Sequence, residues 1–184
     1  MIHIEAVDLN VRSVTLPSDR VGMVIAQPYL SLTDREPYRC MEQAKPQQLA
    51  ALTDTLAVAR AARHGVPVTH FTVFPEYSIP GPEGIVLVEN ALHAGDWPNG
   101  TIVIGGTDAL SKPGFTRLAD AANTHVDTSH NALDRIAQND WINCGIIWVK
   151  ASDGTLERWL QPKLWPAWPE QNITHQHMSA ATRC

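Results

Sequence analysis

The feature that most constrains the fold is a strand-like run, residues 68–81, that is interrupted by proline and then presents a carboxylate. Apolar or β-branched residues at Val68, Phe71 and Val73 are typical of a strand covered on both faces, as in α/β sheets. Pro75 cannot donate to a sheet ladder, so the strand is expected to end there. Glu76 would then stand at the carboxyl end of the strand, where open α/β sheets bind ligands. The alternative is a surface turn with a solvated glutamate.

A second segment, residues 161–170, sets Lys163 and Glu170 among three prolines and two tryptophans. Together the two segments resemble the nitrilase, or carbon–nitrogen hydrolase, superfamily. In that family a Phe-Pro-Glu after the second strand carries the general base, and a later lysine and glutamate carry the second catalytic station. The resemblance implies Glu76 as the general base, Lys163 as the charge-stabilising lysine and Glu170 as an auxiliary carboxylate. The order along the chain agrees, because Lys163 follows Glu76 by 87 residues.

The elements expected between residues 20 and 172 also match that family. The predicted strands are residues 21–27, 68–74, 101–107, 143–149 and 156–160, and the predicted helix is residues 47–63. The helix is indicated by Leu49, Leu52 and Leu56, which recur on one face at three- and four-residue steps. The stretch 111–139 shows no strand pattern and is expected to be a loop. The resemblance implies an α/β fold, a nitrilase-like αββα sandwich formed as a single domain by residues 1–184.

The family also needs a cysteine nucleophile at a sharp strand-to-helix turn, and the three cysteines of this chain do not match that setting. Cys40 precedes the predicted helix, and Cys144 lies inside a predicted strand, where a small buried residue is the usual interpretation. Cys184 follows Lys163, as a nucleophile should, but it is the last residue. It is the candidate nucleophile by order alone, and the sandwich is expected to be incomplete at its C-terminus. The chain would then be either a fragment or a reduced relative.

These resemblances imply a hydrolase that cleaves carbon–nitrogen bonds in small amides, carbamoyl compounds or nitriles, without a cofactor. The alternative is a catalytically inactive nitrilase-like module that binds a small amide or a protein partner. An incomplete sandwich would expose a sheet edge and an apolar face, which favours association. We therefore expect a homo-oligomer.

Charge and composition narrow the range of partners. The chain has 14 basic and 19 acidic residues and a net charge of −5, which argues against a nucleic-acid or membrane-surface partner. No apolar stretch approaches the length of a membrane span. Three widely spaced cysteines are typical of the reducing cytoplasm rather than of a disulfide scaffold. His175 and His177 alternate near the end, but no cysteine or carboxylate cluster accompanies them, so no metal site is predicted.

Overall fold

The computed structural model describes residues 20–35, 37–61, 68–94, 96–126, 136–151 and 153–163. Glu170, Cys184 and the two neighbouring histidines, His175 and His177, lie outside the described residues. Within the described ranges the strands are β1 (Met23–Ile25), β2 (Phe71–Val73), β3 (Ile102–Gly106), β4 (Leu110–Ser111), β5 (Thr124–Val126), β6 (Trp141–Ile142), β7 (Cys144–Lys150) and β8 (Leu156–Pro162). The helices are α1 (Lys45–Arg60), α2 (Gly81–His93) and α3 (Lys112–Ala119).

Six of these strands form one mixed sheet in the order β1-β2-β3-β7-β8-β5. The first three strands are parallel to one another. Strand β7 runs antiparallel to β3 and to β8, and β5 is parallel to β8. Strands β4 and β6 pair separately as a two-stranded ribbon. The expectation of an α/β fold is confirmed.

Helices α1 and α2 are the crossover connections between the three parallel strands. Right-handed crossovers between successive neighbours place both helices on the same face of the sheet. The helices and the sheet share one apolar core, formed by Leu52, Leu56, Ala59, Ile85, Val88, Leu92, Val103, Ile146 and Trp148. The Trp148 indole N–H also donates to Glu89 on α2 at 3.2 Å. Burial of this face, more than local helix propensity, holds the helices in place.

The opposite face of the sheet is apolar as well. Phe71 and Val73 on β2 are half-buried there, and their partners on the edge strand, Met23 and Ile25, are exposed. Residues paired across neighbouring strands share a face, so these side chains form one continuous apolar surface.

Among the described helices none has the length and apolar character needed to cross a membrane.

The predicted strands are present with shifted ends, but the helices differ more from the sequence expectation. Helix α1 starts before the predicted residue 47, with Pro46 in its first turn, where the missing proline N–H costs nothing. Helix α2 was not predicted. The stretch 111–139, expected to be a loop, contains α3 and β5. Ser111 caps α3, because its hydroxyl accepts from the Gly114 N–H at 3.3 Å.

Candidate active site

The turn that carries Glu76 has an unusual backbone held by a buried side chain. Tyr77 adopts a φ of 62°, a left-handed conformation that costs a residue with a Cβ roughly 1–2 kcal/mol. The side-chain amide of Gln48, on α1, donates to the Tyr77 carbonyl at 2.8 Å and to the Ser78 carbonyl at 3.1 Å. Gln48 is itself buried. These two hydrogen bonds fix the turn and therefore the direction in which Glu76 leaves the sheet.

A glycine at the end of β3 lies directly against this turn. A Cβ added at Gly106 would approach the Glu76 Cα to 2.7 Å, closer than real side chains allow. Two backbone hydrogen bonds hold the contact: the Gly106 N–H donates to the Pro75 carbonyl at 3.3 Å, and the Ile79 N–H donates to the Gly106 carbonyl at 3.0 Å. The second glycine of the pair predicted at the end of this strand is what lets Glu76 come so close to the sheet.

Replacing Gly106 with alanine is expected to lower the free energy of unfolding by about 1–3 kcal/mol, because the added methyl group must push the Glu76 backbone away. Urea denaturation measures the change. Gly145→Ala is the matched control, since its Cβ would meet its nearest neighbour, the Gln161 carbonyl oxygen, at 3.9 Å. Equal stability of the two variants would contradict this account of the turn.

The structure brings the two predicted charged residues together. Lys163 directly follows β8, and its Nζ lies 2.5 Å from Glu76 Oε1. Strands β3 and β7 lie between β2 and β8, so the two side chains meet across the ends of those strands. The Glu76 side chain is 47% exposed and the Lys163 side chain 20% exposed. The Lys163 ammonium also lies 5.9 Å from the centroid of the Tyr77 ring. Glu76 is therefore the more accessible member of the pair.

Asn143 is a third member of this site, and sequence reasoning missed it. Its side-chain amide donates to Glu76 Oε1 at 2.9 Å, and its carbonyl accepts the Lys163 backbone N–H at 2.8 Å. In the sequence Asn143 only opened a predicted strand. Its place becomes evident from the register of β7 with β8, in which Cys144 pairs with Pro162. That register sets Asn143 opposite Lys163, and nothing in the local sequence specifies it.

Neither described cysteine is suited to act as a nucleophile. Cys144 is 1% exposed, and burial raises the pKa of its thiol to about 12. Burial also raises the pKa of the Cys40 thiol, with a further contribution from the Asp108 carboxylate. The Cys40 thiol donates to the Gln48 side-chain oxygen at 3.0 Å. A thiol attacks as its thiolate, so both side chains are structural, and the interpretation of Cys144 as a small buried residue is confirmed.

Asp108 links three segments next to the Glu76 turn. Its Oδ2 accepts the Cys40 N–H at 2.9 Å, and its Oδ1 accepts the Gly81 N–H at 2.6 Å. Burial raises the pKa of Asp108, although these two hydrogen bonds oppose the shift. All three residues line a cavity of about 220 Å³. Neither Glu76 nor Lys163 lines it, so the pair lies outside this cavity.

Within the part of the chain that the structure describes, no cluster of three or more His, Cys, Asp or Glu side chains could hold a metal ion. Comparisons with protein-family models, with curated proteins and with solved structures found no match to this chain. The functional conclusion therefore depends on the residues of the site itself.

Proposed function

We propose that this chain is a hydrolase of carbon–nitrogen bonds in small amides, carbamoyl compounds or nitriles, similar to the nitrilase superfamily. The observation that carries the proposal is the 2.5 Å contact between Glu76 Oε1 and Lys163 Nζ. It sets a carboxylate that can move protons beside an ammonium that can stabilise negative charge. The site also needs a nucleophile, which we assign to the Cys184 thiol, and Glu170 would be the auxiliary carboxylate. Both of these lie outside the described residues.

Stability alone does not account for the way this pair is held. Exposed ion pairs contribute only about 0–1 kcal/mol, and the Glu76 side chain is half exposed. Yet its position depends on a left-handed Tyr77 and on close contact with Gly106. Backbone strain retained next to accessible charged groups is common at functional sites. The arrangement therefore favours a chemical role for Glu76 and Lys163.

The first half of the reaction would form a thioester. Glu76 accepts the proton of the Cys184 thiol, and the sulfur lone pair forms a C–S bond with the carbonyl carbon of the amide while the carbonyl π electrons move to oxygen. Lys163 stabilises the resulting oxyanion, an effect worth about 10²–10³-fold in rate in other enzymes. The C–N bond then breaks as the C=O bond reforms, and Glu76 donates its proton to the departing nitrogen.

The second half would return the enzyme to its starting state. Glu76 accepts a proton from water, and the water oxygen adds to the thioester carbon. The C–S bond then breaks, the carboxylic acid leaves, and Glu76 returns the proton to the sulfur. A nitrile would need one more water: the thiolate adds to its carbon, the charge develops on nitrogen beside Lys163, and Glu76 protonates that nitrogen to give a thioimidate. A first water then adds to the thioimidate carbon and ammonia leaves, which gives the same thioester for hydrolysis by a second water.

We extend the proposal to the layers of the fold, the cellular location and the oligomeric state. We assign the chain to a single αββα domain that is incomplete, so that the apolar face formed by Phe71, Val73, Met23 and Ile25 is not fully covered. We also propose that the protein works in the cytoplasm, as its free Cys40 and Cys144 thiols would allow, and as a homo-oligomer. The exposure of Met23 and Ile25 on the edge strand supports association.

The burial of both described cysteines favours a second candidate, a catalytically inactive module of the same fold. Glu76 and Lys163 would then bind the polar group of a small amide without cleaving it, because the buried thiols of Cys40 and Cys144 have raised pKa values and do not supply a thiolate. A shift in melting temperature on adding small amides, without turnover, would distinguish this module from the hydrolase.

The test of the hydrolase is ammonia release from a panel of primary amides, N-carbamoyl compounds and aliphatic nitriles. Turnover of at least one class is expected with the native sequence, and its loss is expected in Cys184→Ser and in Lys163→Met. Lys45→Met is the control, since it removes another lysine that is paired with carboxylates, those of Glu42 and Glu83. A folded protein that releases ammonia from none of the panel would overturn the proposal.

A further inference from the structure

The backbone of Asn143 is tightly constrained at the end of the central strands of the sheet. It is the single residue between β6, which pairs with β4, and β7, which belongs to the six-stranded sheet. Its neighbours Ile142 and Cys144 are both buried in the core, and Asn143 itself is only 5% exposed. A backbone anchored on both sides leaves little freedom to the side chain. Asn143 is therefore a rigid donor next to a more exposed Glu76.

The side-chain amide of Asn143 must present its nitrogen to Glu76, because an ionised carboxylate offers only acceptors. Its Nδ2 lies 2.9 Å from Oε1, the same oxygen that lies 2.5 Å from Lys163 Nζ. Within the described part of the chain Oε2 accepts no hydrogen bond. The two oxygens of one carboxylate are thus in different environments: Oε1 is bound by two donors, and Oε2 has no donor among the described residues.

Lys163 alone does not enforce this difference. A lysine ammonium is a compact charge on a flexible stem, so it can bind either oxygen of a carboxylate that turns about its last bond. A second donor from a fixed direction removes that freedom. The Asn143 carbonyl further couples the two charged residues, since it accepts the Lys163 backbone N–H at 2.8 Å.

We infer that Asn143 is the positioning residue of this site: it fixes the Glu76 carboxylate so that Oε1 stays with Lys163 and Oε2 is the oxygen that takes up and returns protons. The inference concerns the orientation of Glu76, and only its consequence for rate rests on the proposed function. Small errors in the position of a catalytic group reduce rates by up to about 10²-fold, so the effect is measurable.

The test compares Asn143→Leu, which has similar volume and no donor, and Asn143→Asp, which has the same shape but presents a carboxylate to Glu76. Gln161→Leu is the control, because it removes an exposed amide near the end of β8. The first readout needs no activity: NMR relaxation of the Glu76 side-chain carbons. We expect loss of side-chain order at Glu76 in both Asn143 variants and none in Gln161→Leu. Unchanged order in Asn143→Leu would overturn the inference.

The second readout is steady-state kinetics. We expect kcat to fall about 10–100-fold in Asn143→Leu with KM unchanged, and to fall further in Asn143→Asp, where two carboxylates repel. A purely structural role would lower the melting temperature and the active fraction, so kcat is taken per folded protein and well below the melting temperature of each variant. An unchanged kcat on that basis would overturn the inference. If the native sequence turns over no substrate, the hydrolase proposal fails, and the order of the Glu76 side chain alone decides the inference about Asn143.

Discussion

Replacing Glu76 with glutamine is expected to lower kcat for amide or nitrile hydrolysis by about 10²–10⁴-fold, the usual contribution of a general acid–base group. Glutamine keeps the size and a hydrogen-bonding oxygen for Lys163 and Asn143, but it cannot accept a proton from a thiol or from water. Both halves of the reaction need that transfer, so neither formation nor hydrolysis of the thioester escapes the loss. Initial rates of ammonia release measure it directly.

The same substitution should leave the fold intact. Glu76 is half exposed in its pair with Lys163, and an exposed ion pair is worth about 0–1 kcal/mol. Circular dichroism and urea denaturation check this. Glu42→Gln is the matched control, because it also removes a carboxylate from a lysine pair, that of Lys45 at 2.9 Å, and should keep full activity. Turnover by Glu76→Gln at the native rate would contradict the role of Glu76.

The second large effect is expected on stability. Asp108→Ala removes the acceptor of two backbone N–H groups, those of Cys40 and Gly81. A buried donor left without a partner costs about 1–3 kcal/mol, so we expect the free energy of unfolding to fall by about 2–5 kcal/mol. Asp34→Ala, at an exposed carboxylate, should change it by less than about 0.5 kcal/mol. A cost for Asp108→Ala as small as that of the control would contradict this account.

The cost of Asp108→Ala should also depend on pH in a defined direction. Burial raises the pKa of Asp108 above its ordinary value of 3.8, so protonation is favoured in the folded state. The stability linked to that proton is fully present below the ordinary value and is lost as the pH rises through the folded-state pKa. The difference between the native sequence and Asp108→Ala should therefore be larger below pH 3.8 than at about pH 8.

The five predicted strands could be located because each combines apolar or β-branched residues with a clear boundary. Pro75 marks the end of β2, and the Gly105–Gly106 pair ends β3. Helix α2 also carried a signal, since Ile85, Val88 and Leu92 recur at three- and four-residue steps and are buried. It was missed because the Pro-Gly-Pro sequence at residues 80–82 resembles a turn. In the structure Gly81 begins the helix, with proline in its first turn.

The proximity of Glu76 and Lys163 followed from the resemblance to a family, not from spacing, because 87 residues separate them. The third member, Asn143, was out of reach for a physical reason. Its contact with Glu76 depends on the order β2-β3-β7-β8 and on the register of β7 with β8. Register is set by pairing across the whole sheet, and no local pattern in a single sequence predicts it. The hydrogen bonds from Gln48 to the turn could not be predicted for the same reason, since they join two segments distant in the chain.

The central claim is that Glu76 activates a cysteine thiol, and the rate of thiol alkylation, mapped to individual cysteines by mass spectrometry, tests it most directly. Cys40 and Cys144 are buried with raised thiol pKa values and should react only after denaturation, which makes them internal controls. The result we expect is rapid, pH-dependent alkylation of Cys184 that slows in Glu76→Gln and is unchanged in Glu42→Gln. Alkylation of Cys184 at the same rate in the native sequence and in Glu76→Gln would contradict the claim.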